Sequence, residues 1–190
     1  MRKRAAVLGS PIAHSLSPAI HNAAYLALGM EGKYDSVEVK AGELAPFMEQ
    51  VRNTAANWIG FSLTMPLKEE IFQVADRIDP LAMQIRSGNT LLPTTDGWLA
   101  TTTDVAGFMW ALSSNQVDNF ETITIIGAGA TARAAALAVD APGRVITIIN
   151  RNPDREELLH QIVTQGELKF SGWSEVNLGT DLVINTTPKG

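Results

Sequence analysis

Short apolar, β-branched runs alternate along this chain with stretches whose apolar residues recur at helical spacing, the pattern of an α/β protein with a mainly parallel sheet. AAVLG (5–9) reads as a first strand. Ser17 then suits a helix N-cap with Pro18 at the first helical position, and Ile20, Ala23, Ala24, Ala27 and Leu28 follow on one face before Gly29 stops the helix. YDSVEV (34–39) alternates like a strand, LAPFMEQVR (44–52) reads as a helix and WIGFSLT (58–64) as a strand. PLKEEIFQVAD (66–76) predicts a helix at that strand's carboxyl end, followed by a short helix around 80–85. NTLLP (89–93) and WLATT (98–102) flank TTDG as a hairpin, and TDVAGFMWAL (103–112) is helical.

SSNQVDNFE (113–121) is polar and aperiodic, so it is expected to link two domains. Beyond it, TITIIG, ATARAAALAV, VITIIN, PDREELLHQIV and DLVIN form a βαβαβ series of nucleotide-binding type. The expected organisation is therefore an N-terminal open α/β substrate domain over 1–112, the linker 113–121 and a Rossmann-type domain over 122–190. Doubly wound sheets usually continue with further crossover units, so the second domain is expected to be incomplete at its C-terminus.

Composition narrows the partners. Apolar residues make up 45% and charged residues 18% of the 190 residues, an ordinary globular balance. A net charge of −5 argues against nucleic acid or an anionic membrane. There is no cysteine, which rules out disulfides and thiolate chemistry. Gly9, Ser10 and Pro11 interrupt the first apolar run too early for a signal peptide, and a cytoplasmic location is expected. The three histidines have no metal-ligand spacing with acidic partners, and the four tryptophans read as packing groups.

Gly127-x-Gly129-x-x-Ala132 lies between a strand and a helix, the context that makes this motif specific. Gly127 permits a tight turn, Gly129 lets the backbone approach a pyrophosphate, and Ala132 allows close helix–strand packing. The phosphates would rest on the helix N-terminus, where free N–H groups and the macrodipole favour anions. At the end of the next strand, where an NAD site would carry a carboxylate, stand Asn150, Arg151 and Arg155. Guanidinium groups pair with a 2′-phosphate and a carboxylate would repel it, so NADP is favoured, with Asp154 nearby as a contrary charge.

In the first domain, SPIAHSLSP puts Ser15 and Ser17 at a helix start that could seat a carboxylate, although in isolation Ser17 as a plain cap with Ser15 incidental is the better explanation of that stretch. Thr64 and Lys68 follow a strand's carboxyl end, where ligands bind in open α/β sheets. Asn89 and Asp104 begin or follow short elements that could return to the same rim. Taken alone, Lys68 would read as a solvated lysine opening an amphipathic helix.

In their order and approximate spacing, SPIAHSLSP, LTMPLK, Asn89-Thr90, Thr103-Asp104, GAGATAR, Asn150-Arg151 and NTTPKG resemble the shikimate dehydrogenase family. The resemblance implies reversible, NADP-dependent reduction of the ring ketone of 3-dehydroshikimate to shikimate, in aromatic amino acid biosynthesis. By the same resemblance, Lys68 and Asp104 are the catalytic pair, and Ser15, Ser17, Thr64, Lys68, Asn89 and Asp104 contact the substrate. The loop Gly127, Ala128, Gly129 and Ala130 would hold the cofactor with Asn150, Arg151 and Arg155. Hydride delivery builds negative charge on the ketone oxygen, so Lys68 would donate a proton in reduction and accept one in oxidation, oriented by Asp104.

Several positions depart from the family pattern. Ser62 replaces a common Asn, Thr102 the Asn of Asn-Thr-Asp, Arg86 a Gly and Asn152 a Thr. The alternatives are an NAD-dependent quinate/shikimate dehydrogenase, or a non-catalytic relative that binds shikimate-like ligands. The expected partner is a small molecule, with a homodimer as the assembly to test.

Overall fold

The structure is a computed structural model that describes residues 3–54, 57–175 and 178–187. The chain divides into two compact units, Met1–Thr102 and Thr103–Gly190. This division falls ahead of the 113–121 stretch that the sequence marks as a linker, because the helix opening at Asp104 packs on the second unit's first crossover helix.

The first unit runs β1 (Lys3–Gly9), α1 (Ser17–Ala27), β2 (Gly32–Glu38), α2 (Leu44–Asn53), β3 (Trp58–Leu63), β4 (Arg77–Ile78), α3 (Pro80–Gln84), β5 (Thr90–Thr94) and β6 (Gly97–Thr101). Its six-stranded sheet has the order β2-β1-β3-β5-β6-β4. β1 is parallel to both neighbours, whereas β5 runs antiparallel to β3 and β6. Alternating side chains divide the unit into two cores. Ala6, Leu8, Phe61 and Leu63 face Leu44, Met48 and Val51 of α2, an i, i+4, i+7 stripe. Ala5, Val7, Ile12 and Tyr34 form the cluster on the other face. Burying each large side chain contributes roughly 1.5–3 kcal/mol.

Two local expectations change here. The helix expected over 66–76 is a run of turns ending in a 3₁₀ segment, Glu70–Gln73. Leu67, Ile71 and Val74 are buried at helical spacing, but the chain is held at both ends. The Thr64 carbonyl accepts from Leu67 N at 2.8 Å, and Asp76 N donates to the Trp98 carbonyl at 2.8 Å, returning the chain at once to the sheet. In addition, Ser17 is the first helical residue of α1 rather than its cap; Ser15 Oγ accepts from Ser17 N at 3.3 Å.

The second unit contains α4 (Asp104–Ser114), β7 (Thr122–Ile126), α5 (Ala130–Val139), β8 (Val145–Ile149), α6 (Glu156–Ile162), β9 (Glu167–Ser171) and β10 (Leu182–Asn185). Its four-stranded sheet is parallel throughout, in the order β10-β7-β8-β9. Ile123, Ile125, Ile146 and Ile148 are fully buried against Ala132, Ala135, Ala136 and Val139 of α5. Small alanines let this helix approach the sheet closely. The α/β class expected from the pattern is thus present in both units, although β4 and β9 were not anticipated. Among the described residues no helix is long and apolar enough to cross a membrane.

Candidate active site

Each sheet has a point at which strand order reverses, and ligands of open α/β sheets bind beyond the strand carboxyl ends at such points. In the first unit the reversal lies at β1, with β2 on one side and β3 on the other. In the second it lies at β7, flanked by β8 and β10. The residues singled out by sequence, other than Asp104, lie in the loops and first helical turns beyond these strands.

Beyond β1 and β3 the loops are laced together by main-chain hydrogen bonds. Thr64 N donates to the Leu8 carbonyl at 2.9 Å and Ser10 N to that of Met65 at 3.0 Å. Leu63 N donates to the Asn89 carbonyl at 2.7 Å, Gly88 N to that of Lys68 at 2.9 Å, and Asn89 N to that of Thr101 at 3.0 Å. At Gly9 the chain after β3 passes close to the end of β1: an added Cβ would lie 2.4 Å from Thr64 Cγ2 and 2.9 Å from the Met65 carbonyl oxygen. Thr64, Lys68 and Asn89 are all half-buried along this rim. Asn89 Oδ1 accepts from Thr90 Oγ1 at 2.8 Å. Ser15 and Ser17, also half-buried, lie in the loop and first turn that leave β1.

Asp104 opens α4, where a carboxylate in the first turn complements the helix macrodipole. It belongs to the second unit by packing and follows Thr101 of the laced rim by only three positions in the chain.

The second seat is a strand–turn–helix. Gly127 has φ +108°, and a Cβ there would meet Thr186 Oγ1 at 2.6 Å. Its N–H donates to the Ile149 carbonyl at 2.9 Å. Thr186 in turn donates through Oγ1 to the Ile126 carbonyl at 2.7 Å, so the end of β10 closes against the turn. Gly129 is the N-cap of α5, with no side chain capping it, and Ala128 is buried while Ala130 begins the helix. Arg155 Nη1 lies 3.9 Å from the position a Gly129 Cβ would occupy, so a guanidinium stands beside the helix N-terminus. Asn150 follows β8 and its side chain holds the next turn, accepting from Asn152 N at 3.2 Å and donating to the Asn152 carbonyl. Arg151 is exposed at that turn. A glycine cradle, helical N–H groups and a neighbouring guanidinium fit a dinucleotide diphosphate.

Two features escaped the sequence reading. Tyr34 Oη donates to Ser62 Oγ at 2.8 Å beneath the rim, and burial pushes the phenol above its ordinary range, against the opposing effect of the Ser62 bond. A polar Ser62 inside an apolar strand was the available signal. Arg133 is 1% exposed on α5, four positions after Gly129, and a charge among alanines could have marked it. In NTTPKG, residues 188–190 lie outside the described residues.

Known proteins bear on this geometry. A family model described as the shikimate dehydrogenase substrate binding domain matches residues 7–91. The NADP(+) shikimate dehydrogenase of Prochlorococcus marinus is 33% identical over 97% of this chain and 67% of its own length. That of Methanosarcina acetivorans is 35% identical over 100% of this chain and 71% of its own. Among solved structures, shikimate 5-dehydrogenase from Thermus thermophilus, in complex with NADP(H) and shikimate, superposes with a TM-score of 0.83. It shares 32% identity, covering 98% of this chain and 69% of that one. The chain thus spans about two thirds of the length of the curated relatives it matches. With relatives this similar across nearly its whole length, the chain belongs to the shikimate dehydrogenase family.

Proposed function

We propose that the protein carries out the reversible, NADP-dependent reduction of 3-dehydroshikimate to shikimate, in the cytoplasm. The observation that carries this reading is the placement of Lys68: half-buried, beyond the carboxyl end of β3 at the reversal point of the first sheet, its carbonyl fixed by Gly88 N at 2.9 Å. The P. marinus and M. acetivorans relatives support it by name. For function, residues 1–112 carry the substrate side, 122–190 the cofactor side and 113–121 joins them, with Asp104 near the junction.

NADP supplies the hydride chemistry when bound. Gly127, Ala128, Gly129 and Ala130 at the N-terminus of α5 would hold its diphosphate, and Arg151 and Arg155 would meet the 2′-phosphate with Asn150 shaping the turn. Ser15 and Ser17 take the substrate carboxylate. Thr64, Asn89 and Asp104 bond the ring hydroxyls. Lys68, oriented by Asp104, hands a proton to the ketone oxygen as negative charge builds there and takes it back in the reverse direction. Help of this kind is worth ~10²–10⁴-fold in rate.

The test is a spectrophotometric assay of shikimate and NADP⁺, run beside quinate and NAD⁺, on wild type and Lys68→Ala. Wild type should prefer shikimate with NADP⁺, and the variant should lose ~10²–10⁴ in kcat with little change in KM. An unaltered kcat removes Lys68 from the chemistry; a preference for quinate with NAD⁺ replaces the substrate and cofactor assigned here.

A further inference from the structure

Tyr34 is held from several directions at once. It sits on the edge strand β2 opposite Ala5 of β1, while Ser62 sits opposite Val7 on the far side of β1. The tyrosine side chain therefore crosses the central strand, over the small Ala5, to donate to Ser62 Oγ at 2.8 Å. Its ring stacks on His21 with centroids 4.0 Å apart and planes 15° from parallel. His21 Nδ1 lies 2.9 Å from the Ser17 carbonyl, which can only accept, so that nitrogen carries the hydrogen. Asn22 clamps the Tyr34 backbone, its Oδ1 accepting from Tyr34 N at 2.9 Å and its Nδ2 donating to the Tyr34 carbonyl at 2.8 Å. The same Nδ2 also donates to the Pro18 carbonyl at 2.7 Å. Tyr34 thus bonds Ser62 near the end of β3, two positions before Thr64, and meets α1 at His21 and Asn22, which in turn bond the Ser17 and Pro18 carbonyls of its first turn.

We infer that Tyr34 is a positioning residue for the substrate, setting the Ser62 hydroxyl as a donor at the rim and holding Ser17 in register with it. A hydroxyl that accepts one hydrogen bond still has its own proton to give, and being polarised by the first bond makes it a better donor. Ser62 pairs with Val7 and so shares the sheet face of Val7 and Tyr34, the face packed by Tyr25 of α1, and Thr64 follows two positions later, just past the end of β3. The ligand this suits is a polyhydroxylated ring carboxylate, whose oxygens can accept from Ser62 while Ser17 seats the carboxylate. The inference rests on the substrate side proposed above.

Tyr34→Phe keeps the ring stack and removes only the donor; Ser62→Ala removes the recipient. Shikimate titrated calorimetrically into each variant should bind about three- to tenfold more weakly than to wild type, the loss of one hydrogen bond. The double variant should be no weaker than the worse single one, because both remove the same link. NADP⁺ affinity should not change. A lowered melting temperature with unchanged shikimate affinity would make the network purely structural and overturn the inference, as would additive losses. If wild type does not bind shikimate at all, the substrate assignment fails. Backbone amide resonances of the ligand-free protein then decide the positioning role: Tyr34→Phe should shift Thr64 as well as Ser62, and a change confined to residues around position 34 would sink it.

Discussion

In the second unit the cofactor seat comes mainly from one continuous stretch, β7, the Gly127–Gly129 turn and α5, with Thr186 and Arg155 added at its sides. The first unit builds its rim from separated stretches, around residues 9–17, 63–68, 88–89 and 101, joined by main-chain hydrogen bonds. A continuous seat depends on the conformation of a few residues. An assembled rim depends on how closely its strands and loops can approach. The two should therefore fail for different reasons and, in binding terms, separately.

Paired glycine substitutions give the largest expected effects. Gly127→Ala forces a side chain into φ +108° and against Thr186 Oγ1. It should cost about 1–3 kcal/mol of stability and weaken NADPH more than tenfold, with shikimate affinity kept. Gly9→Ala drives a methyl into Thr64 Cγ2 and the Met65 carbonyl, and should do the reverse. Fluorescence titration of NADPH and calorimetry of shikimate on both variants check the comparison; parallel losses of both ligands would dissolve it.

A smaller effect concerns how β10 is tied to β7. Asp181 Oδ2 accepts from Thr122 N, Glu121 N and Thr122 Oγ1 at 2.9, 3.0 and 2.8 Å. The Thr122 and Glu121 backbone bonds, then the hydroxyl, hold this carboxyl below its ordinary value. Its stabilisation is therefore present above the unfolded carboxyl pKa near ~3.9 and is lost as pH falls through the lower native value. Asp181→Asn should melt earlier than wild type at pH 7, with the gap closing below about pH 4. A gap that persists in acid would assign the effect to packing.

The smallest effect should come from the first unit. Ser87 is fully buried, and its hydroxyl has no partner among the described residues. Ser87→Ala should leave stability unchanged or raise it by up to about 1 kcal/mol by denaturant unfolding. A loss of that size would mean that the hydroxyl has found a partner.

The same contrast explains what the sequence disclosed. β7, α5 and β8 were readable to within a residue because period, glycine turn and alanine-rich helix all specify one local geometry. In the first unit β3, β5 and β6 were placed to within a residue and β1 and β2 to within two, whereas β4 was not read and the segment after β3 was misread. Its buried Leu67, Ile71 and Val74 mimic a helix, while the bonds that fix its ends, Thr64 N to the Leu8 carbonyl and Asp76 N to the Trp98 carbonyl, involve residues distant in sequence. Ser15 rather than Ser17 bonds at the start of α1 because the helix begins one residue earlier than the proline suggests. Tyr34 was invisible as a cross-strand tie because its partner lies 28 positions away. Lys68 and Asn89 stood out by their place beyond strand ends, but composition and periodicity treat them as ordinary polar residues, and only the family pattern suggested roles for them.

Because the stretches around residues 9, 64, 88 and 101 of the first unit's rim are joined by amide-to-carbonyl links, most of its outline is set by the main chain. The Tyr34–Ser62 tie is a side-chain adjustment to it. Positions such as 62 and 102 can exchange one polar group for another while the frame stays put. Ligand choice can therefore drift by single substitutions without refolding the loops, a freedom that the glycine-dependent seat in the second unit lacks.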